Sequence, residues 1–227
     1  MLHELNDEAR SRQELMSLLS FLPAGFPLSA SQLAQFEQYL RLLLEWNPRA
    51  SLVSKSDENE ARLSKRHVVE SLGLLGTGLL HPKATVLDLG SGGGFPGIPI
   101  KIAQPDLEIT LLDSRRMKFL FLQEAIRALE LKNAIAVCAR AESLGPEFHS
   151  RFDFVVVRAV ASLVKLWQWS LPVLKAGGCL LAQKGGDLEA ECKELLAVFP
   201  GLVLSQVKYP AEWEIEPSRF VVVIKKT

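Results

Sequence analysis

Apolar side chains in the first 80 residues recur at intervals of three and four positions, the spacing that places them on one face of a helix. This periodicity predicts amphipathic helices at about residues 7–20, 29–46 and 57–75. Ser29 follows a break that contains two prolines and a glycine, and its side chain is suited to cap the second helix. We therefore expect residues 1–80 to form a helical extension. The periodic positions are Leu15, Leu18, Leu19, Leu22, Leu33, Phe36, Leu40, Leu43 and Leu44.

From residue 84 onward, short and nearly continuous apolar runs alternate with helical segments, a pattern typical of strands buried in a parallel sheet. Strands are predicted at 85–89, 107–112, 134–138, 154–157, 179–183, 202–209 and 219–225, and helices at 96–103, 114–130, 163–174 and 188–198, with a short piece after 141. Only a loop separates the last two strands, so we expect them to pair antiparallel. Residues 81–227 are thus predicted to form an α/β domain, a doubly wound, seven-stranded, mostly parallel sheet with its ligand at the point where the strand order reverses.

The composition is that of a chain that buries a core, with 227 residues and 48% hydrophobic content. No apolar run is long enough to span a membrane, and residues 1–8 do not resemble a secretory signal, so we expect a cytoplasmic protein. The 26 basic residues equal the 26 acidic ones, which excludes a global positive field for nucleic acid and leaves room only for a local patch. Three widely spaced cysteines predict neither a disulfide framework nor a metal site.

The first predicted strand of the α/β domain ends near Asp88 and is followed by a glycine-rich turn. Gly90, Gly92 and Gly94 lack Cβ, so the chain can adopt positive φ angles there and a ligand can lie against the backbone. Pro96 is compatible with the first turn of the helix that follows. The order of strand, glycine turn and helix is typical of a cofactor-binding domain.

Two classes of cofactor share this order. Residues 92–97 satisfy the dinucleotide fingerprint, and Asp113 follows at the distance expected of a ribose-binding acid. The tighter Asp-x-Gly-x-Gly-x-Gly spacing of residues 88–94 resembles the first motif of methyltransferases that use S-adenosyl-L-methionine (SAM). A pyrophosphate needs an unobstructed helix N-terminus, whereas a sulfonium carries no phosphate and tolerates Phe95-Pro96 there. The pattern therefore favours SAM over NAD.

Further motifs extend the similarity beyond the glycine turn. They lie at residues 46–47, 52–53, 66–67, 70–72, 88–99, 111–114, 158–162 and 183–185. With these motifs the chain resembles one family, RsmG, also called GidB, over roughly residues 40–190. The resemblance implies a class I, Rossmann-like SAM methyltransferase domain that methylates a guanine N7 in bacterial small-subunit (16S) ribosomal RNA.

Cofactor-binding residues are expected at the ends of the first four strands of the α/β domain. The glycine turn would pass under the methionine portion, and Asp113 would accept hydrogen bonds from the ribose hydroxyls. The resemblance places Phe95 against the cofactor, the Ala141-Glu142 pair beside the adenine and Arg158 in the cofactor site. The full predicted set is Gly90, Gly92, Gly94, Phe95, Asp113, Ser114, Ala141, Glu142 and Arg158.

Arg158 ends an apolar run, so its strand carries a guanidinium to the mouth of the sheet, where an unpaired buried charge is costly. The carboxylate of SAM is a suitable bidentate partner. An internal ion pair with Asp88 or Asp153 is the alternative. No catalytic acid or base is nominated, because guanine N7 already presents a free lone pair and positioning suffices.

Candidate RNA contacts are local clusters of basic residues, and His67 is equally compatible with an interior position. Relative to the family, Met117-Lys118 replaces a usual Lys-Arg, and two arginines just upstream can supply the displaced charge. We expect the N-terminal helices to cover one edge of the sheet and to help select the target in 16S ribosomal RNA or the small subunit, and we expect the chain to be a monomer. The candidates are Arg66, His67, Arg115, Arg116, Arg140 and Lys184.

Three other functions remain open at this point. The same fold and cofactor could serve a small-molecule or protein substrate, which the neutral net charge supports. An NAD-dependent oxidoreductase would need a catalytic His, Tyr or Lys group in the crevice, and no convincing set is visible. A SAM-binding regulatory module would keep the turn without catalysis.

Overall fold

The computed structural model describes residues 22–57, 63–158 and 161–227 of the chain. The strands are β1 Thr85–Leu89, β2 Glu108–Asp113, β3 Ala134–Cys138, β4 Phe152–Arg158, β5 Leu174–Gly185, β6 Leu204–Lys208 and β7 Arg219–Lys225. They form one sheet in the order β3-β2-β1-β4-β5-β7-β6. Within β1 to β5, every pair of neighbouring strands is parallel, whereas β7 runs antiparallel to both β5 and β6. The predicted seven-stranded, mostly parallel sheet is confirmed.

Strands β1, β3 and β7 have the predicted bounds, whereas β5 begins at Leu174, five residues before the predicted start at 179. In the structure, the Gly177 amide donates to the Lys226 carbonyl at 2.9 Å, and the Lys226 amide donates to the Gly178 carbonyl at 2.8 Å. These bonds extend the ladder with β7, and Leu174 itself pairs with Phe152 of β4. The preceding helix ends at Ser170 rather than at the predicted 174.

The helices of the described residues are α1 Ala30–Ala50, α2 Glu70–Gly76, α3 Gly97–Ala103, α4 Arg116–Ala128, α5 Leu163–Ser170 and α6 Glu189–Val198. Ser29 caps α1 in a capping box with Gln32, which confirms its predicted role. A π-helical segment, Leu63–Val69, runs directly into α2, so the described part of the third predicted helix is helical. The helix predicted at 7–20 and residues 58–62 lie outside the described residues.

Helix α1 packs on a face of the domain. Its Gln32 side chain donates to the carbonyls of Ile102 and Ala103 at 2.8 and 3.0 Å, and Gln35 donates to that of Leu129 at 2.7 Å. These carbonyls belong to the C-terminal parts of α3 and α4. The expectation that this helix covers an edge of the sheet is therefore wrong. Its apolar face packs on α3 and α4, which themselves cover one face of the sheet.

The sheet separates two hydrophobic clusters. One lies on the side of α1 to α4, and the other lies on the side of α5 and α6. The strand order reverses between β1 and β4, because the chain continues from β1 to β2 on one side and returns to β4 on the other. A crevice at the carboxyl ends of these strands is the usual ligand site of such sheets. Among the described helices, none combines the length and the apolarity that crossing a membrane requires.

Candidate active site

An open crevice of about 670 Å³ lies at the carboxyl ends of β1, β2 and β4, as the topology predicts. Eight of the nine predicted cofactor residues line it, and Gly94 is the exception. Of the predicted RNA-binding residues, Arg115 and Arg140 also lie on its wall. The structure thus gathers residues from four separate strand ends into one site.

The glycine turn has the backbone conformation that its sequence suggests. Gly90, Gly92 and Gly94 have φ angles of 77°, 57° and 91°. The amides of Gly90 and Ser91 donate to the Leu112 carbonyl at 2.8 and 2.9 Å, which ties the turn to β2. A Cβ on Gly92 would meet no atom closer than 3.7 Å, so this position leaves space beside the backbone in the crevice.

Gly94 has a different role from the one predicted. A Cβ there would lie 2.4 Å from Cδ1 of Ile98 and 3.1 Å from the hydroxyl of Tyr39. Its missing side chain therefore allows the turn to pack against the helices, and its neighbour Gly93 lines the crevice instead. The sequence shows three consecutive glycines and does not indicate which of them packs against the helices and which lines the crevice.

Asp88 lies beneath the turn and is fully buried. Its Oδ2 accepts a hydrogen bond from the Gly97 amide at 3.0 Å, which fixes the start of α3. Its Oδ1 has no hydrogen-bond partner among the described residues. Burial raises the pKa of Asp88 to about 7, well above its ordinary value of 3.8, although the Gly97 hydrogen bond opposes this shift. The motif acid thus supports the turn from below and is not part of the crevice wall.

Asp113 faces the crevice from the end of β2 and also holds the turn. Its Oδ2 accepts from the Gly92 amide at 3.0 Å, and its Oδ1 accepts from the Arg115 amide at 2.8 Å. The carboxylate is 8% exposed and lines the crevice. Because each carboxylate oxygen has more than one lone pair, both can accept a further hydrogen bond from a ligand.

Arg158 lies at the inner wall of the crevice with its side chain 15% exposed. One terminal nitrogen donates to Nδ1 of His67 at 2.7 Å, and the other lies 3.8 Å from Oε2 of Glu70. The guanidinium carbon is 4.9 Å from the centroid of the Phe95 ring. Glu70 also lies 3.8 Å from Arg219, so one carboxylate is shared between two arginines.

The internal partner suggested for Arg158, Asp88 or Asp153, is therefore wrong. Asp153 pairs with Lys175 at 2.9 Å and accepts hydrogen bonds from Thr85. Glu70, the actual partner, belongs to α2 and is distant in sequence, so no local pattern could have identified it. In the sequence, Glu70 stood out only as the first residue of the Glu-Ser-Leu segment that is shared with the family.

His67 is directed into the interior rather than toward solvent. Its Nδ1 accepts the hydrogen bond from Arg158, which places the proton of the neutral ring on Nε2, 3.3 Å from Oδ2 of Asp57. Its ring lies 5.0 Å from that of Phe95. Burial, and then the charge of Arg158, lower the pKa of His67 to about 4. Of its two predicted roles, the geometry supports the interior one.

The other predicted RNA contacts differ in accessibility. Arg140 is 74% exposed at the crevice rim, and Arg66 is 58% exposed although it pairs with Asp57 at 3.0 Å. Arg116 is exposed at the start of α4, outside the crevice lining. Lys184, by contrast, is only 12% exposed and is bound to Glu191 and to the Ala161 carbonyl, so it is unsuited to contact RNA.

Among the residues that line the crevice, sequence reasoning assigned no role to Leu52, Lys165 and Trp169. Lys165 and Trp169 are one turn apart on α5, which follows β4, so helical spacing could have identified them as neighbours. Leu52 follows α1 and reaches the crevice only through the tertiary fold. In the part of the chain that the structure describes, no group of three His, Cys, Asp or Glu side chains could hold a metal ion.

Comparisons with known proteins agree with this architecture. The model of the GidB family, described as rRNA small subunit methyltransferase G, matches residues 32–212. The chain is 40% identical over 206 residues to ribosomal RNA small subunit methyltransferase G of Desulforamulus reducens, covering 88% of this chain and 85% of the relative. It is 41% identical over 172 residues to the protein of the same name from Lachnoclostridium phytofermentans, covering 75% and 70%.

Solved structures resemble the fold at lower identity. A SAM-dependent methyltransferase from Aquifex aeolicus superposes with a TM-score of 0.56 at 19% identity, covering 76% of this chain and 96% of that one. TYW2 of M. jannaschii, solved in complex with AdoMet, gives a TM-score of 0.51 at 16% identity, covering 70% and 74%. These similarities support the class of fold described above.

Proposed function

Because the chain belongs to the GidB family of ribosomal RNA small subunit methyltransferases, we propose that it transfers a methyl group from SAM to N7 of a guanine in 16S ribosomal RNA. The observation that carries this proposal is the crevice, which joins the open backbone of the glycine turn to Asp113 and Arg158. The family match spans all of these elements.

The residues of the crevice fit the parts of SAM. The space beside Gly92 suits the methionine portion, which can lie against bare backbone. Asp113 retains acceptor capacity for the ribose, and Ala141-Glu142 line the crevice beyond it, where we assign the adenine. Arg158 has five N–H donors, of which the neighbours described above use only part, so we assign the carboxylate of SAM to the remainder.

When bound, SAM would supply a methyl group from its sulfonium to the lone pair of guanine N7, which leaves a neutral thioether and a positive charge on the guanine ring. No proton has to be removed from N7. The chain therefore acts by orientation, which can remove roughly 7–11 kcal/mol of a barrier when the reacting atoms are held in line. We assign this task to the glycine turn and to Arg158.

A chain with zero net charge can bind RNA only through a local positive patch, and the wall of the crevice offers one. It contains five cationic side chains and two carboxylates, so a local positive patch surrounds the site. We propose that Arg115, Lys118, Arg140 and Lys165 contact phosphates near the target. A base taken out of an RNA fold is commonly stacked on an aromatic ring, and we assign it to Trp169, which is half-buried on this wall.

A ribosomal substrate implies that the protein acts in the bacterial cytoplasm. We propose that it acts there as a monomer, because a single chain supplies the glycine turn, Asp113 and Arg158, to which the parts of SAM are assigned. Light scattering during size-exclusion chromatography checks this, and a dimer with a partner residue in the crevice would contradict it.

The test combines ligand binding with methylation. Calorimetric titration with SAM and with NAD should show binding of SAM alone. The protein should then transfer a labelled methyl group from SAM to unmodified 16S ribosomal RNA, either naked or assembled in small subunits, and the label should be recovered as 7-methylguanosine. Selective NAD binding would overturn the cofactor assignment. Label in neither form of RNA, or at another atom, would overturn the reaction.

A further inference from the structure

The glycine turn is held from above by a residue of the N-terminal helix. Tyr39 of α1 is fully buried, and its hydroxyl donates to the Gly93 carbonyl at 2.5 Å. Gly93 lines the crevice, 54 residues further along the chain. A side chain outside the strand-helix core therefore bonds directly to the backbone on which we place the cofactor.

The turn is closely packed at this contact. A Cβ on Gly94 would lie 3.1 Å from the Tyr39 hydroxyl, and a Cβ on Gly93 would lie 3.2 Å from Cδ2 of Leu43, one turn further along α1. The Tyr39 ring also lies 5.6 Å from that of Phe95. The helix thus covers the side of the turn that faces away from the crevice.

A second contact from α1 acts on the neighbouring part of the crevice wall. Asn47 is buried, and its Oδ1 accepts hydrogen bonds from the amides of Leu52 and Val53 at 2.7 and 2.9 Å. Leu52 lines the crevice, and its carbonyl lies 3.4 Å from the position of a Gly93 Cβ. Helix α1 therefore supports the crevice at two adjoining places.

Helix α1 has other hydrogen bonds to the domain besides that of the Tyr39 hydroxyl. Gln32, Gln35 and Gln38 already donate to carbonyls of α3 and of the end of α4. What the hydroxyl does is satisfy a carbonyl in a turn whose glycines would otherwise lose much backbone freedom on binding a ligand. Ordering a binding loop in advance lowers the cost of binding.

We propose that Tyr39 is a positioning residue for SAM, and that its hydroxyl holds the Gly93 carbonyl so that the glycine turn is ordered before the cofactor arrives. This inference rests on the proposed function, because it takes SAM as the occupant of the crevice. It makes α1 a part of the cofactor site as well as a covering for the core.

The variant Tyr39→Phe retains the ring and removes only the donor. We expect its Kd for SAM, measured by calorimetry without RNA, to rise about tenfold, equivalent to about 1.4 kcal/mol. With RNA and saturating SAM, kcat should stay within about twofold of wild type, because a populated site is ordered by the cofactor itself. Gln35→Met is the matched control, since it removes a hydrogen bond from the same helix at a distance from the turn. It should lower the melting temperature and leave the Kd for SAM unchanged.

Unchanged SAM affinity in Tyr39→Phe would overturn the proposal. An equal loss of SAM affinity in Tyr39→Phe and in Gln35→Met would also overturn it, because it would indicate that only the docking of α1 matters. If Tyr39→Phe does not fold, hydrogen exchange on the wild-type protein decides. Linkage requires that SAM slow amide exchange around Tyr39 in α1, and no slowing would refute the coupling. A wild-type protein that binds no SAM would overturn the proposed function together with this inference, whereas normal wild-type binding with an unaffected variant overturns the role of Tyr39 alone.

Discussion

The buried imidazole of His67 leads to a specific pH dependence of stability. The pKa of His67 is about 4 in the folded protein, against an ordinary value of 6.5, because burial and then the charge of Arg158 oppose protonation. As the pH falls below 6.5, the unfolded chain takes up a proton at this position and the folded protein does not. The free energy of unfolding therefore falls as the pH decreases, until the folded protein also binds the proton near pH 4.

The size of this loss follows from the two pKa values. One pKa unit corresponds to about 1.36 kcal/mol, so between pH 7.5 and pH 4.5 this shift costs the wild-type protein roughly 2.5 kcal/mol of stability. In His67→Asn the side chain does not titrate and can still accept the hydrogen bond from Arg158. We expect the variant to lack this part of the loss. Urea unfolding of both proteins at the two pH values measures it, and titration of other groups cancels in the comparison, apart from that of the neighbouring Asp57.

His149→Asn is the control, because it removes an exposed imidazole. Its stability should change with pH as that of the wild type does. Equal losses in the wild type and in His67→Asn would refute the reasoning, since they would mean that His67 is protonated as easily in the fold as in the unfolded chain. A nuclear magnetic resonance titration of the His67 ring with a midpoint near 6.5 would refute it independently.

Three further predictions concern the turn, the cofactor and the RNA. In the wild type, the pKa of Asp88 is about 7 in the folded protein, so the free energy of unfolding falls by roughly 2.5 kcal/mol as the pH rises from 5 to 8. Asp88→Asn should lack this loss, and the same change of the urea midpoint with pH in both proteins would contradict the prediction. Arg158→Ala should weaken SAM binding at least tenfold in calorimetry, since charge-assisted hydrogen bonds contribute roughly 1.5–3 kcal/mol, and an unchanged Kd would remove Arg158 from the site. Arg140→Ala should weaken RNA binding and reduce its salt dependence while leaving the Kd for SAM unchanged; an unaltered salt slope would exclude a phosphate contact.

Local patterns predicted the features whose causes are local. Strands β1 and β3 were placed correctly because each is a short apolar run between turn residues. Asp113 was expected in the crevice because its distance along the chain from the glycine turn reflects one strand-helix-strand unit, and it lines the crevice. The antiparallel final pair followed from the shortness of its connection, and the structure confirms it.

Features that depend on distant contacts were not predictable in this way. The ion pair of Arg158 with Glu70, the bond from Tyr39 to Gly93 and the place of Leu52 in the crevice all join segments that are separated by whole elements. Lys184 was misassigned for the same reason, because its burial depends on Glu191 of the following helix. A sequence shows which residues carry charge, but the fold decides which charges are neutralised internally.

Glu70 illustrates the consequence of such sharing. A single acid faces the guanidinium groups of both Arg158 and Arg219, and His67 beside them is uncharged at neutral pH. Around Glu70, the two guanidinium groups therefore outnumber the carboxylate by one. The carboxylate of SAM, which we assign to Arg158, would balance this excess.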